Sequence, residues 1–267
     1  MIEWCMKFLE LMNKTGLVAA HRGARSIAPE NTLSALTKSI GKCDFIEIDV
    51  GLSRDGAVIV MHDDTLQRTT NVAQIDSFRD KKPYRVCDFN IDELSKLDYG
   101  SWFDANSGRK EPLLTLKRAL EFIKENNMFI NVEIKDMSNC FEDKMVVGAV
   151  AKEIEDTGAQ ERVLLSSFRH EYLREAKKIL FNVPTAALFE GNAQDNLLEY
   201  LKDLEVEAYH VDDASADEKK VKMLREAGYA VGVYTINSAK RAKELFAMGV
   251  NYIFSDSLDK KLKKYAL

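Results

Sequence analysis

The chain has 267 residues, of which 46% are hydrophobic and 30% are charged, a composition typical of globular rather than disordered proteins. Its net charge of −5 argues against nucleic acid as the main partner, because binding to a phosphate backbone requires a basic surface. No stretch reaches the roughly 18 apolar residues of a membrane span, so we expect no stable membrane association. The length suits a single domain, and α/β barrels often reach this size undivided.

Two features of the sequence bear on the compartment. Charged residues (Glu3, Lys7, Glu10) interrupt the apolar N-terminus and break any signal-peptide core, and the segment favours a short amphipathic helix that ends near residues 15–16. The four cysteines are widely separated: Cys5, Cys43, Cys87 and Cys140. Since no spacing among them is typical of metal ligation or of a redox pair, we expect free thiols and a cytoplasmic protein.

Apolar runs typical of β-strands alternate with segments of helical periodicity along most of the chain. The predicted strands are residues 17–21, 45–50, 129–134, 163–167, 185–189, 208–211, 230–235 and 252–255. The predicted helices are residues 31–40, 115–126, 143–157, 170–180, 196–203, 217–227, 238–247 and 258–265. Eight β-then-α units favour an α/β fold of the closed (β/α)8 TIM-barrel type over an open doubly wound sheet, in one domain over residues 1–267.

Two features interrupt this alternation. The tight-turn sequence Ser53-Arg54-Asp55-Gly56 indicates that the second strand continues into a hairpin, which returns His62 to the mouth of the barrel. Residues 64–112 then lack βα spacing but are rich in aromatic side chains, including Trp102 and Phe103. Because loops this long in compact domains tend to be functional, we expect residues 64–112 to form a small inserted subdomain that caps the mouth.

Acidic side chains within two predicted strands are the most informative residues. Glu47 and Asp49 are two positions apart, so their side chains point to the same face, as do those of Glu133 and Lys135. Carboxylates buried on one side of a sheet repel one another unless a cation neutralises them. Oxygen ligands of this kind suit Mg²⁺, Ca²⁺ or Mn²⁺ rather than zinc.

Polar residues converge at one end of the predicted barrel. The C-terminal ends of the strands form the active site of such a barrel. The tripeptide His21-Arg22-Gly23 closes the first strand, Glu47 and Asp49 lie late on the second, and Glu133 with Lys135 closes the third. A hard cation beside two histidines and a lysine is suited to handling phosphate.

An ordered set of short motifs extends from about residue 17 to residue 258. In chain order these are His21-Arg22-Gly23, Ala28-Pro29-Glu30-Asn31-Thr32, Glu47-Ile48-Asp49-Val50, Arg54-Asp55-Gly56, Val60-Met61-His62-Asp63, Arg68-Thr69-Thr70, Asp98-Tyr99-Gly100-Ser101-Trp102-Phe103, Glu133-Ile134-Lys135, Ser167-Phe168, Tyr234-Thr235-Ile236-Asn237 and Ser255-Asp256. No single tripeptide is specific. In this order, however, the set closely resembles the glycerophosphodiester phosphodiesterase family.

The resemblance implies a metal-dependent hydrolase that releases sn-glycerol 3-phosphate and an alcohol from small glycerophosphodiesters. It implies these roles: one divalent cation, Mg²⁺ or Ca²⁺, on Glu47, Asp49 and Glu133; an acid/base pair of His21 and His62; and phosphate binding by Arg22 and Lys135. We expect Tyr234, Trp102 and Phe103 to contact the alcohol of the substrate, with Tyr234 standing where many family members carry tryptophan. Glu30 either contributes to the site or initiates a helix ahead of Asn31, a good N-cap residue.

Two other functions stay open at this point. A lysophospholipase D would use the same chemistry on lysophospholipids and would need an apolar slot, which the aromatic residues of the insertion can supply. A catalytically inactive barrel would only bind its ligand, although every expected catalytic residue is present. The sequence leaves open the head group, the choice between Mg²⁺ and Ca²⁺, the formation of a cyclic phosphate intermediate and the oligomeric state.

Overall fold

The computed structural model describes residues 7–104, 106, 108–191 and 195–258. The strands are β1 (Leu17–Ala20), β2 (Phe45–Leu52), β3 (Val58–Val60), β4 (Ile130–Ile134), β5 (Val163–Ser167), β6 (Thr185–Phe189), β7 (Ala208–Asp212), β8 (Ala230–Tyr234) and β9 (Tyr252–Ser255). The helices in the described ranges are α1 (Phe8–Met12), α2 (Leu33–Ser39), α3 (Ile91–Leu94), α4 (Leu116–Glu125), α5 (Asp143–Thr157), α6 (His170–Ile179), α7 (Leu197–Asp203), α8 (Glu218–Glu226) and α9 (Ala239–Ala247).

Eight of these strands form the closed parallel barrel that the sequence predicts. The order of neighbours is β1-β9-β8-β7-β6-β5-β4-β2, and β1 also pairs with β2, which closes the barrel. The short strand β3 extends β2 as an antiparallel hairpin, with Val60 opposite Val50. The predicted TIM-barrel fold and hairpin are therefore confirmed, and the C-terminal ends of the eight strands lie at one face.

Strand alternation separates the barrel interior from the layer under the helices. On β2, Ile46, Ile48 and Val50 belong to the hydrophobic cluster that includes residues of α4 and α5. Phe45 belongs instead to an interior cluster, where its ring packs edge-on against Tyr252. Because Glu47 and Asp49 share the face of Phe45, β2 must bury two carboxylates inside the barrel.

Aromatic rings fill the barrel interior beneath the acidic side chains, and a glycine makes room for one of these rings. A Cβ atom at Gly232 would lie 2.3 Å from the ring of Tyr252. Tyr252 is fully buried, and its hydroxyl is 2.8 Å from His210 Nε2. Gly232 and Tyr252 therefore fit together as one packing unit.

Residues after the hairpin build a small hydrophobic cluster of their own. Short 3₁₀ turns at Val72–Gln74, Asp76–Lys81 and Val86–Asp88 precede α3 in this segment. Buried side chains of this segment, among them Phe78 and Phe89, pack together with Ile59 and Met61. That this segment is a separate unit with the boundaries 64–112 stays a prediction.

The structure corrects several local expectations. Helix α1 ends at Met12 rather than near residues 15–16, and α2 begins at Leu33 with Thr32 as its N-cap. The expectation of free thiols is wrong for Cys87 and Cys140, which form a disulfide. Cys5 and the predicted last helix beyond residue 258 lie outside the described residues. Within the described ranges, no helix combines the length and the apolar character needed to cross a bilayer.

Replacing Gly232 with Ala should destabilise the fold, because the added methyl group would overlap the ring of Tyr252 in a packed interior. We expect a loss of roughly 1–3 kcal/mol in the free energy of unfolding, measured by urea denaturation. Gly148→Ala on α5 is the matched control, since a Cβ there would meet nothing within 4 Å. It should stabilise the protein by about 0.5–1 kcal/mol. A Gly232→Ala protein as stable as the parent would contradict the packing argument.

Candidate active site

A cavity of about 340 Å³ opens among the C-terminal ends of the strands. It is lined by His21, Arg22, Glu47, His62, Asn131, Glu133, Lys135, Phe168, Leu188, Glu190, His210, Tyr234, Thr235 and Phe254. The structure thus brings together most of the residues that the sequence singled out. Asp49, the remaining predicted metal ligand, is buried beside Glu47 and Glu133.

Sheet register explains why the three carboxylates meet. β2 and β4 are parallel neighbours, and Asp49 on β2 stands opposite Glu133 on β4. Glu47 precedes Asp49 by two positions on the same face, so all three point to one side. Carboxylate oxygens of Glu47, Asp49 and Glu133 lie within 4.8 Å of one another.

The acidic cluster is incompletely satisfied by the protein itself. Glu47 Oε2 accepts a hydrogen bond from the backbone N–H of Arg22 at 2.8 Å, but the buried Oε1 has no hydrogen-bond partner among the described residues. Burial and the neighbouring charges of Asp49 and Glu133 raise the pKa of Glu47 well above its ordinary value. A buried carboxylate oxygen without a partner is costly, and a hard cation would satisfy it. The donor set therefore fits a divalent metal ion.

Two cations and an amide hold the other carboxylates. Lys135 Nζ lies 2.7 Å from Glu133 Oε1 and 3.6 Å from Asp49 Oδ1, while Arg22 Nε lies 3.3 Å from Asp49 Oδ2. Asn31 donates to Asp49 Oδ2 at 2.9 Å. Burial alone would raise the pKa of Asp49, but the charges of Lys135 and Arg22 hold it below its ordinary value. Burial and the charge of Asp49 raise the pKa of Glu133.

Arg22 reaches this position through a tight turn after β1. Gly23 has a φ of +76°, and a Cβ there would lie 2.8 Å from backbone and side-chain atoms of Ala35. Only glycine fits this close approach to α2 without a shift. The turn directs the Arg22 N–H to Glu47 and its guanidinium to Asp49.

His21 is oriented by an aspartate from the last strand of the barrel. β1 and β9 are parallel neighbours with Ala20 opposite Ser255, so the next residues, His21 and Asp256, leave the sheet side by side. His21 Nδ1 lies 2.7 Å from Asp256 Oδ1. Burial would raise the pKa of Asp256, but the hydrogen bond with His21 and its charge lower it to about 2. An ionised Asp256 favours the proton on Nδ1 and leaves Nε2 as the proton acceptor.

His62 has a similar partner from its own loop. The hairpin carries it to the cavity, where its Nδ1 lies 2.6 Å from Asp63 Oδ1. Arg68 grips the same carboxylate through Nε and Nη2, at 2.6 and 2.9 Å. Burial would raise the pKa of Asp63, but the hydrogen bonds with Arg68 and His62 lower it to about 2. His21 and His62 therefore each have an ionised carboxylate at Nδ1.

The aromatic residues predicted to contact substrate have different placements. Tyr234 lines the cavity and donates its hydroxyl hydrogen to the Phe189 carbonyl at 2.6 Å. Trp102 and Phe103 are not among the described residues that line the cavity. The Trp102 ring instead faces the Arg68 guanidinium, 6.0 Å from its centroid. Substrate contact by these three aromatic residues stays a prediction.

Several residues of the site were not assigned a role from the sequence. Asp63 and Asp256 directly follow predicted site or strand residues, which is the signal that sequence reasoning had available and did not use. Arg25 and Arg68 lie in loops, and nothing in their spacing indicates which carboxylates they contact. Phe168 and Glu190 follow the ends of β5 and β6, a position that favours lining the cavity.

Comparison with known proteins agrees with this geometry. Residues 21–260 match the glycerophosphoryl diester phosphodiesterase family. The chain is 30% identical over 252 residues to a glycerophosphodiester phosphodiesterase of Bacillus altitudinis, covering 92% of this chain and 96% of that one. It is 32% identical over 248 residues to one of Caldanaerobacter subterraneus, covering 90% and 93%.

A solved structure gives the same result. An Oleispira antarctica phosphodiesterase in complex with the product sn-glycerol-3-phosphate superposes with a TM-score of 0.83 at 29% identity, covering 93% of this chain and 96% of that one. The chain therefore belongs to the glycerophosphoryl diester phosphodiesterase family and is an enzyme of that class.

Metal binding to the acidic cluster should raise the melting temperature. A cation that binds only the folded state at 100 times its Kd stabilises by about 2.7 kcal/mol, or about 5–10 °C for a chain of this size. The measurement is Tm in chelator and in excess Mg²⁺ or Ca²⁺. The Glu47→Gln variant should lose most of this increase in Tm. The Glu207→Gln variant, whose substitution directly precedes β7, should keep it. If no divalent cation changes the Tm of the parent protein, the prediction of metal binding at this cluster is wrong.

Proposed function

We propose that the protein hydrolyses glycerophosphodiesters to sn-glycerol 3-phosphate and an alcohol, with one divalent cation and two histidines as proton carriers. The observation that carries the proposal is the cavity itself, where two imidazoles backed by carboxylates face a cluster of three acidic side chains. The product bound to the Oleispira antarctica enzyme supports the same reaction here. The retained histidines and carboxylates speak against an inactive binding barrel.

The cation is proposed to bind at Glu47, Asp49 and Glu133, and Mg²⁺ or Ca²⁺ suits this all-oxygen set. When bound, such an ion neutralises negative charge on phosphate oxygens. Arg22 and Lys135 lie at the edge of the same cluster and line the cavity. We assign them to the phosphate, Arg22 as a planar donor and Lys135 as a point charge.

His21 and His62 are proposed to move the protons. With Nδ1 held by Asp256 or Asp63, each ring presents Nε2 as its exchangeable site. One imidazole would remove a proton from the attacking hydroxyl while the other donates a proton to the departing alcohol. The attacking group is either water or the glycerol 2-hydroxyl, which would form a cyclic phosphate first.

The alcohol is assigned to the opposite wall of the cavity. Phe168, Leu188 and Tyr234 form this wall, and the rings of Phe168 and Tyr234 meet edge-on with centroids 6.2 Å apart. These apolar side chains are also the observation that favours a lysophospholipase D as the second candidate. The volume of about 340 Å³ is at the low end for ligand cavities, which favours the smaller substrate.

The proposed location is the cytoplasm, on the sequence argument given above. The disulfide is an observation against that location. Stable disulfides are rare in reducing compartments. The bond between Cys87 and Cys140 therefore removes the thiol argument for that location. Fractionation of the native host, with the enzyme detected by antibody, tests it.

Loss of either proposed proton carrier should reduce turnover strongly. We expect His21→Ala and His62→Ala each to lower kcat by about 10²–10⁴-fold. The measurement is a coupled assay for sn-glycerol 3-phosphate released from glycerophosphocholine, with folding checked by circular dichroism. His170→Ala is the matched control, because its ring bonds to Tyr200 and the Leu188 carbonyl rather than lining the cavity. Near-parental kcat in His62→Ala would show that the hairpin delivers no catalytic group.

Small glycerophosphodiesters should be preferred over lysophospholipids. The phosphate site recognises the diester in both, but a small substrate has no acyl chain to bury beside a cavity of this size. The measurement is kcat/KM for glycerophosphocholine and for monomeric lysophosphatidylcholine at the same metal concentration. A higher value for the lipid would establish the second candidate instead.

A further inference from the structure

Glu30 is a buried carboxylate that contacts three arginines. Its Oε1 accepts hydrogen bonds from Arg22 Nη1 at 2.8 Å and from Arg68 Nη2 at 2.6 Å. Its Oε2 forms an ion pair with Arg25 Nη2 at 2.8 Å. Only 5% of Glu30 is exposed, so this is a built charge cluster rather than a surface ion pair. The helix-initiation role that the sequence left open does not explain these contacts.

Two of these arginines also contact the aspartates that bond to His21 and His62. Arg68 donates to both oxygens of Asp63, whose Oδ1 also contacts His62. On the other side, Arg25 Nη1 donates to Asp256 Oδ1 at 3.3 Å, and the same oxygen contacts His21.

We propose that Glu30 is a positioning residue that couples the His21–Asp256 and His62–Asp63 pairs through Arg25 and Arg68. The proposal rests on the proposed function only in treating both histidines as reactive groups. Glu30 itself touches neither imidazole and is separate from the proposed metal ligands. Its role is to hold two guanidinium groups, which in turn hold the two aspartates.

Charge balance shows why a carboxylate is needed at this position. Arg25 lies between Glu30 and Asp256, and Arg68 lies between Glu30 and Asp63, so Glu30 is the common acidic partner. Burial would raise the pKa of Glu30, but the hydrogen bond from Arg68 and the charges of Arg22 and Arg25 hold it below its ordinary value. Glu30 is therefore ionised where it meets the guanidinium groups.

Without the charge of Glu30, the guanidinium groups of Arg25 and Arg68 would shift toward the aspartates that they still contact, which are Asp256 and Asp63. The geometry of both histidine–aspartate contacts would change together, although one joins residues 235 positions apart and the other joins neighbours in the chain. Active-site groups need positions accurate to about 0.5 Å, and substitutions of supporting residues typically cost about 10–100-fold in activity. Two independent pairs, by contrast, would respond separately.

The test combines activity with imidazole NMR on the intact protein. The ring nitrogens and Nδ1 protons of ¹⁵N-labelled histidine report each aspartate contact directly, and His21→Ala and His62→Ala assign the signals. Glu30→Gln should shift both the His21 and the His62 signals and lower kcat for glycerophosphocholine about 10–100-fold. Glu207→Gln is the matched control, since that carboxylate also accepts several hydrogen bonds but lies at the other end of the barrel. It should leave both signals and kcat at parental values.

Single-arginine variants separate coupling from independent support. Arg68→Gln removes the link to Asp63, and Arg25→Gln removes the link to Asp256. Coupling through Glu30 predicts that each variant shifts the signal of the distant histidine as well as the near one. A change confined to the near histidine in both variants would overturn the proposal.

Other outcomes are equally decisive. A folded Glu30→Gln protein with parental imidazole signals and parental kcat would overturn the proposal. Unchanged signals with a higher KM and an unchanged kcat would also overturn it, because Glu30 would then act only by supporting Arg22. If Glu30→Gln does not fold, the arginine variants decide, because their side chains are 26% and 42% exposed and tolerate replacement better. A parent without turnover would defeat the proposed function and leave the NMR result intact.

Discussion

Three carboxylates lie close together at one buried end of a parallel barrel, and their mutual repulsion is the constraint on which much of the surrounding structure depends. Glu47 and Asp49 are almost fully buried, and placing like charges together in a poorly solvated site is unfavourable unless opposite charges accompany them. Arg22, Lys135 and Asn31 supply part of the compensation. Among the described residues, one oxygen of Glu47 has no hydrogen-bond partner, so the compensation is incomplete where the proposed cation would bind.

The register of the parallel strands brings the side chains of the candidate site together. The pairing of β2 with β4 sets Asp49 opposite Glu133, and the pairing of β1 with β9 sets His21 beside Asp256. Neither contact depends on a long loop, because Asp49 and Glu133 lie within strands, and His21 and Asp256 directly follow theirs. The aromatic packing below it, with Tyr252 seated against Gly232, supports the same strands from inside the barrel.

The parts of this structure that follow from local pattern could be predicted from the sequence. Alternation on β2 and β4 was sufficient to place Glu47, Asp49 and Glu133 together, and the turn at Asp55-Gly56 was sufficient to return His62 to the mouth. Contacts between loops could not be predicted in this way. The spacing of Cys87 and Cys140 carries no sign of their bond, because it depends on how two loops fold above the barrel.

The same limit applies to Glu30 and its arginines. Arg25, Glu30 and Arg68 lie in turns whose geometry no periodicity describes, so the sequence showed a family motif but not a network. Asn31 illustrates the point on a smaller scale: its residue type favours an N-cap, yet Thr32 caps α2 and Asn31 binds Asp49. Tertiary contacts overrode local preference where a buried charge required a partner.

The cavity has two walls with different chemistry, and they come from different halves of the chain. Most charged lining residues lie in or directly after β1, β2, β4 and the hairpin and form one wall. Phe168, Leu188 and Tyr234, near the ends of β5, β6 and β8, contribute to the other, and Glu190 after β6 is the charged exception. The charged wall carries the ion pairs and is therefore the less tolerant of change, because each member supports several others. The apolar wall has fewer such dependencies, so substitutions at Phe168, Leu188 or Tyr234 should disturb fewer contacts of the charged wall. If the proposed assignment of the alcohol to the apolar wall holds, this separation would let the barrel keep its chemistry while its substrate range changes.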